Sequence, residues 1–399
     1  MSAERTRVMQ MVDAEELIWL TQKLISIPSY HGRENPEKEI SAFIHAFLRD
    51  NGIASEKVRV VDERFNVIGT YGSGQDPEKS LMLCGHLDTV GVDNMQIDPF
   101  EGYVRDGRIF GRGAVDMKGA VAAMIMALVT LKRSGVELSG SAVFAGVIDE
   151  EWWSEGARHL VVHGPRTRYA VVGEPTEMEI HNGHRGLEWL EIKVTGKYAH
   201  GGTPELGVNA IVKMNKVITE VYETLLPKIS TRHDPVTGPA TLNLGLIKGG
   251  TQPSTVAGEC ILQLDRRFVP GESTESVTAE IAQILDKLAS RDPEFRAEVR
   301  NMRDVRANPI GNPPLHTSPS SPLVACLKSV SQAVRGHARI GRFPAWTDAG
   351  ILSCVGGVES VVLGPGHLSS AHTEEEYCPI ADIVDCCRIY TGALFDLCK

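Results

Sequence analysis

The sequence predicts an α/β protein built on a mixed sheet, with a smaller α+β domain inserted into the chain. Three observations lead there. Apolar strand-like runs alternate with helical patterns through Val172, the order of a sheet covered by helices. After Thr176 the order becomes strand, helix, strand, strand, helix, strand, that of a ferredoxin-like unit. From about Asn308 further helix and strand patterns return the chain to the first domain. The expected parts are residues 1–183 and 306–399 for the sheet domain and 184–305 for the insertion. A length of 399 residues agrees with two cores.

Glu15 to Ile25 and Glu37 to Leu48 carry apolar residues at helical spacing. Val67 to Tyr71 and Leu81 to Cys84 read as strands. Tyr103 to Phe110 reads as a hairpin, because Asp106-Gly107 between apolar residues favours a tight turn. Ala120 to Leu131, rich in Ala, Met and Leu, reads as a helix buried against the sheet, with its methionines in the core. Ala142 to Ile148 and Ala170 to Val172 are further strands. In the insertion, Leu187 to Val194 alternates, with Leu190, Ile192 and Val194 on one face. A helix follows from about Val208 to Leu226, with Asn209 at its start, then a loop from Pro227 to Pro239. Thr241 to Ile247 and Cys260 to Phe268 are strands, Ser273 to Ala289 a helix and Phe295 to Val299 a short strand. Leu323 to Val334 reads as a helix and Val361 to Leu363 as a sheet strand.

Composition narrows the function. A net charge of −10 argues against nucleic acid, whose phosphates need a basic surface. No apolar stretch reads as long enough to span a bilayer, and Met1 to Val12 lacks the apolar core of a secretion signal. The eight cysteines are scattered without paired metal spacing; Cys84 and Cys260 sit in strands, Cys386-Cys387 in a C-terminal helix. The expectation is reduced, buried thiols in a cytoplasmic protein.

Five residues are candidate metal ligands: His86, Asp116, Glu151, Glu174 and His372. Four follow apolar strand-like runs, and ligands of open α/β sheets gather at the carboxyl ends of strands. Asp116 instead ends a glycine-rich loop and opens a helix. An isolated Glu-Glu pair is ordinarily a solvated surface. Here Glu150-Glu151 follows a strongly apolar run, where adjacent carboxylates are costly unless a cation compensates them. Two imidazoles with three carboxylates suit zinc, and also accept cobalt or manganese.

The stretches Gly85-His86-Leu87-Asp88-Thr89-Val90, Gly111 to Gly119, Asp149-Glu150-Glu151, Gly173-Glu174-Pro175-Thr176 and Ala371-His372-Thr373 come in a familiar order. Together they make the chain resemble the co-catalytic zinc amidohydrolases and peptidases that include acetylornithine deacetylase, succinyl-diaminopimelate desuccinylase, glutamate carboxypeptidase and aminoacylase. The resemblance implies two Zn2+ per chain, bridged by Asp116. His86 and Glu174 would complete one site, Glu151 and His372 the other. It implies Glu150 as the base that takes a proton from a water shared by the metals. On an extended segment Glu150 and Glu151 would point oppositely and divide these roles. Asp88 would accept the second N–H of His86 and fix its tautomer. His200, in Tyr198-Ala199-His200-Gly201-Gly202, would help bind the oxyanion, often across a dimer interface. Arg267 would hold a substrate carboxylate. The inserted domain would serve dimerisation, so a homodimer is expected.

The implied reaction is hydrolysis of the amide bond of an N-acyl amino acid, with a dipeptidase or carboxypeptidase as the alternative. Two departures stand out. Ser254 occupies a position where the family often has asparagine, and Trp152-Trp153 directly follows the acidic pair. The aromatics would either shape an apolar pocket or pack beneath the site.

Overall fold

A computed structural model of the chain describes residues 3–303 and 311–399. The expected return of the chain near Asn308 lies outside the described residues. Two compact units are present: Met1–Gly183, Leu315–Phe343 and Thr347–Lys399 form one, His184–Pro314 and Pro344–Trp346 the other.

The first unit carries an eight-stranded mixed sheet. Ser80–His86 is buried along its whole length, as its run Leu81-Met82-Leu83-Cys84 requires of a strand covered on both faces. It lies between Ser141–Val147 and Tyr169–Val172, parallel to both. Glu359–Val362 continues the sheet in parallel. These four strands end at the same edge, so the residues that follow them are delivered to one place. Arg64–Tyr71 and Ala54–Val61 extend the other side in antiparallel fashion. Ala54–Val61 was not anticipated: its charged, largely exposed sequence lacks apolar alternation, which suits an edge strand.

Helix Gly119–Ser134 is buried from Gly119 through Leu131. With the preceding turn it forms a 21-residue stretch long and apolar enough to cross a membrane by length and composition alone. That corrects the expectation that no stretch reaches such a length. The helix packs against Ile380–Cys398 and Ser141–Val147, the setting of a core helix. The hairpin forms as expected: Val104–Arg105 pairs with Arg108–Phe110 around Asp106 and Gly107, both at positive φ.

In the second unit the strand order is Thr241–Gly249, Glu259–Phe268, Gly186–Thr195, Ala297–Asn301, all antiparallel. Its core face is set by the pairs Leu190 with Leu264, Ile192 with Leu262 and Val194 with Cys260. Helices Ala210–Glu220 and Thr274–Arg291 supply Met214, Val217 and Ile281 to this core. Asn209 caps the first helix by accepting from the backbone N–H of Ile211. Regular α-helix ends at Glu220, before the expected Leu226; Val221–Leu225 forms a wider turn, and Leu226–Ser230 is a separate short helix with Pro227 in its first turn.

Candidate metal centre

His86 ends the central strand of the first unit, and its Nδ1–H donates to the Asp88 carbonyl at 2.9 Å. A carbonyl only accepts, so the neutral ring carries its lone pair on Nε2. That lone pair faces Asp116 Oδ1 at 3.0 Å and Glu174 Oε1 at 3.7 Å. Two acceptors so placed repel unless a proton or a cation lies between them.

Asp116 reaches this point on a loop whose Gly111 and Gly113 have φ of 144° and 82°. A Cβ on Gly113 would lie 2.8 Å from Thr89 Cγ2, so the close approach needs glycine. The other Asp116 oxygen, Oδ2, is 3.2 Å from His372 Nε2. His372 Nε2 is also 3.1 Å from Glu151 Oε1. One carboxylate therefore presents one oxygen to each of two imidazoles.

Glu150 and Glu151 do not lie on an extended segment, and that expectation is corrected. They sit in a tight turn opened by Asp149, whose φ is 70°. The Asp149 carbonyl accepts from Trp152, Trp153 and Ser154 at 3.3, 3.0 and 2.6 Å. The turn still separates the two side chains. Ligand atoms of His86, Asp116 and Glu151 lie within 4.8 Å of one another, and so do those of His86, Glu150 and Glu174. Glu150 thus lies within ligand range of the His86–Glu174 pair.

The residues fit two divalent cations. Ligand-atom separations of 3.0–3.2 Å match two donors each about 2.0–2.2 Å from a common ion. Buried Glu174 Oε1 has no hydrogen-bond partner among the described residues. Electrostatics agree. Burial, then the Asp116 charge, holds the Glu174 carboxyl well above its usual range. Burial and Glu174 do the same to Glu150. Burial pulls His86 down, but the charge of Glu174 and the bond to Asp116 outweigh it and hold the imidazole well up. Burial raises Asp116, yet its bonds to His372 and His86 win and hold it low. The carboxylates crowded together here repel one another, and cations held between them would relieve that repulsion.

Asp88 differs from expectation in the group it uses. Its carbonyl fixes His86, while its carboxylate accepts the N–H groups of Glu150 and Glu151, each at 3.1 Å. His200 belongs to the second unit and is exposed; its Nδ1 accepts the Gly202 N–H at 3.0 Å. Arg267, also in the second unit, forks onto the Asp265 carboxylate at 2.7 and 2.9 Å. Asp265 thus occupies the Nε edge of the guanidinium, with Nη1 turned away from it.

Sequence reasoning missed the residues that hold the turn. Arg64 forks onto buried Glu37 at 2.7 and 2.6 Å and reaches Asp149 Oδ1 at 2.8 Å. Asn66, two residues along the same strand, accepts from Ile148 N and donates to the Gly156 carbonyl, bracketing the turn. Glu376 was missed too. It is fully buried, pairs with Arg112 at 2.7 Å and accepts the Asp116 N–H at 3.1 Å. Only the closeness of Arg112 to Asp116 in sequence hinted at it.

The model of peptidase family M20/M25/M40 matches residues 82–396. Acetylornithine deacetylase of Proteus mirabilis is 30% identical, over 92% of this chain and 92% of its own. N-formyl-4-amino-5-aminomethyl-2-methylpyrimidine deformylase of Bacillus subtilis (strain 168) is 29% identical, over 96% and 95%. Among solved structures, aminopeptidase PepT from Bacillus cereus aligns with a TM-score of 0.79 at 20% identity, over 98% of this chain and all of that one. A likeness at that identity speaks for the fold alone.

Proposed function

The chain belongs to peptidase family M20/M25/M40, metal-dependent hydrolases of C–N bonds, and on that premise we propose that it cleaves the amide bond of an N-acyl amino acid. The observation that carries the reading is Asp116, with one oxygen toward His86 and the other toward His372. Two Zn2+ held by these residues with Glu151 and Glu174 would supply Lewis acidity for the carbonyl and acidify an attacking water. Glu150 takes the water's proton and delivers it to the leaving nitrogen. Burial and Glu174 hold its carboxyl well above the usual range, which suits a group that must serve as base and then as acid. With Nδ1 accepting from Gly202, the remaining donor of His200 is Nε2–H, the group that would serve the developing oxyanion. A homodimer would let either copy supply it.

The test is turnover of N-acetyl, N-succinyl, N-carbamoyl, N-formyl and dipeptide substrates by metal-reconstituted protein, with and without chelator. Chelator-sensitive turnover of N-acyl amino acids is expected. Dipeptide turnover alone would move the reading to a dipeptidase. Two bound metals with no turnover of any would end it.

A second reading has its own observation. Trp152, next to Glu151 in the turn, is 52% exposed and so is not core packing. Its ring stacks on His31 at 4.3 Å and 16°. His31 is tied by its N–H to Thr89, one residue from Asp88. An exposed aromatic pair beside the candidate site suits a planar heteroaromatic substrate, the kind named in the pyrimidine deformylase relatives. N-formyl aminomethylpyrimidines turned over faster than N-acyl amino acids would favour it.

A further inference from the structure

His372 is the most solvent-facing of the five candidate ligands, its side chain half exposed, and it sits on a loop at a φ of 60°. A ligand in that position needs its backbone held from outside. The Asn94 side chain does this: its Nδ2 donates to the His372 carbonyl at 3.1 Å. Asn94 is itself fixed. Its Oδ1 accepts from Arg112 Nη2 at 3.0 Å.

Arg112 is 1% exposed and spends its other donors nearby. Nε donates to the Gly91 carbonyl at 3.1 Å, and Nη1 pairs with Glu376 Oε2 at 2.7 Å. The second Glu376 oxygen accepts the N–H groups of Val115 and Asp116 at 3.0 and 3.1 Å. One guanidinium therefore reaches two ligands. It reaches Asp116 through Glu376, and His372 through Asn94. Neighbouring bonds support the same loop: the Gln96 N–H donates to the Glu374 carbonyl at 3.0 Å, and Gln96 Nε2 bonds the Glu374 carboxylate.

We infer that Asn94 is a positioning residue for His372, and that it sets the affinity of the metal site formed by Asp116, Glu151 and His372 without setting that of the site at His86 and Glu174. The reason is geometric. His372 is attached to the rest of its site by one imidazole, and the aim of that ring follows the backbone from which it projects. Losing the Asn94 bond frees the carbonyl and lets the ring drift. His86 is exempt, since its strand and the Asp88 carbonyl fix it. The inference rests on the two-metal reading of the site.

The test is calorimetric titration of the metal-free protein with Zn2+, which needs no substrate. Asn94 is exposed, so its replacement should leave the fold intact. Asn94→Leu removes both bonds while keeping a branched side chain of four heavy atoms. Asn94→Asp keeps an acceptor for Arg112 but sets an oxygen against the His372 carbonyl. Both should weaken one of two binding steps by about 10–100-fold, the usual effect of removing a group that orients a ligand. The other step should stay unchanged. In a His372→Ala background Asn94→Leu should add nothing, because the residue acts only through His372. Equal weakening of both steps, no weakening, or a full further loss in the His372→Ala background would each overturn the inference. Melting of the metal-free variants at the wild-type temperature is expected; a large drop would show a general structural role and overturn it too. If wild-type protein takes up no Zn2+, the two-metal reading itself fails. If it takes up two and Asn94→Leu matches it, only this inference fails.

Discussion

The Asp88 carboxylate accepts the backbone N–H of Glu150 at 3.1 Å, while the Asp88 carbonyl accepts from His86. One residue thus orients the candidate base through its side chain and a candidate ligand through its main chain. Asp88→Asn keeps the carbonyl bond but sets an amide NH2 against one of the two N–H groups in the turn. Two metals should remain bound while kcat falls by about 10–100-fold. Elemental analysis beside steady-state kinetics checks this. Loss of metal in proportion to activity would assign the side chain to His86 instead.

Glu150 and Glu151 share a turn but should fail differently. Glu150→Gln keeps shape and removes the base, so metal content should survive while kcat falls by roughly two to four decades. Glu151 reaches His372 Nε2 at 3.1 Å, so Glu151→Gln should lower metal affinity first. Normal kcat in Glu150→Gln would show the base to be another group.

These residues differ in how far their sequence betrays them. His86 ends, and Glu151 and Glu174 follow, strands buried on both faces, and such strands write themselves as unbroken apolar runs. The charge that ends each run is conspicuous. The turn geometry is not. The positive φ of Asp149 is held by Arg64, 85 positions earlier, and by Asn66 at both flanks. The carboxylate role of Asp88 is hidden because its partners are backbone N–H groups, which every residue has. Glu376 looks like part of the surface run Glu374-Glu375-Glu376, and only the packing reveals it as fully buried. The alternating core of the second unit was legible because one sheet face is covered and the other is not. The edge strand Ala54–Val61, with neither face well covered, left no such signature.

Arg64 compensates two buried carboxylates, Glu37 and Asp149, which are 0% and 3% exposed. Arg64→Met would leave both without a cation. A loss of about 3–5 kcal/mol is expected for breaking such a buried pair from one side. It should lower the urea midpoint of the first unit, followed by fluorescence. Adding Glu37→Gln should restore part of the loss, because one of the stranded charges is removed. A double variant no more stable than Arg64→Met would show that packing, not charge, is what Arg64 supplies.

Protons and metal should compete at His372. In the metal-free protein its bonds to Asp116 and Glu151 hold the imidazole up at about 10, against an ordinary 6.5. The sign follows from a folded value above the unfolded one. The stabilisation from this group is complete below 6.5 and is lost as pH rises through about 10. Metal binding requires the neutral ring, so within that window uptake must expel the His372 proton, and affinity must climb with pH. Calorimetry at roughly pH 8, in buffers of differing ionisation enthalpy, should report net proton release; His372→Ala should reduce it by about one proton. Asp116→Ala should weaken both binding steps together, since its two oxygens face both histidines. Metal uptake without proton release would mean that His372 is already neutral and that its contacts to Asp116 and Glu151 are not those of an imidazolium. Weakening of a single step in Asp116→Ala would deny the carboxylate its bridging place.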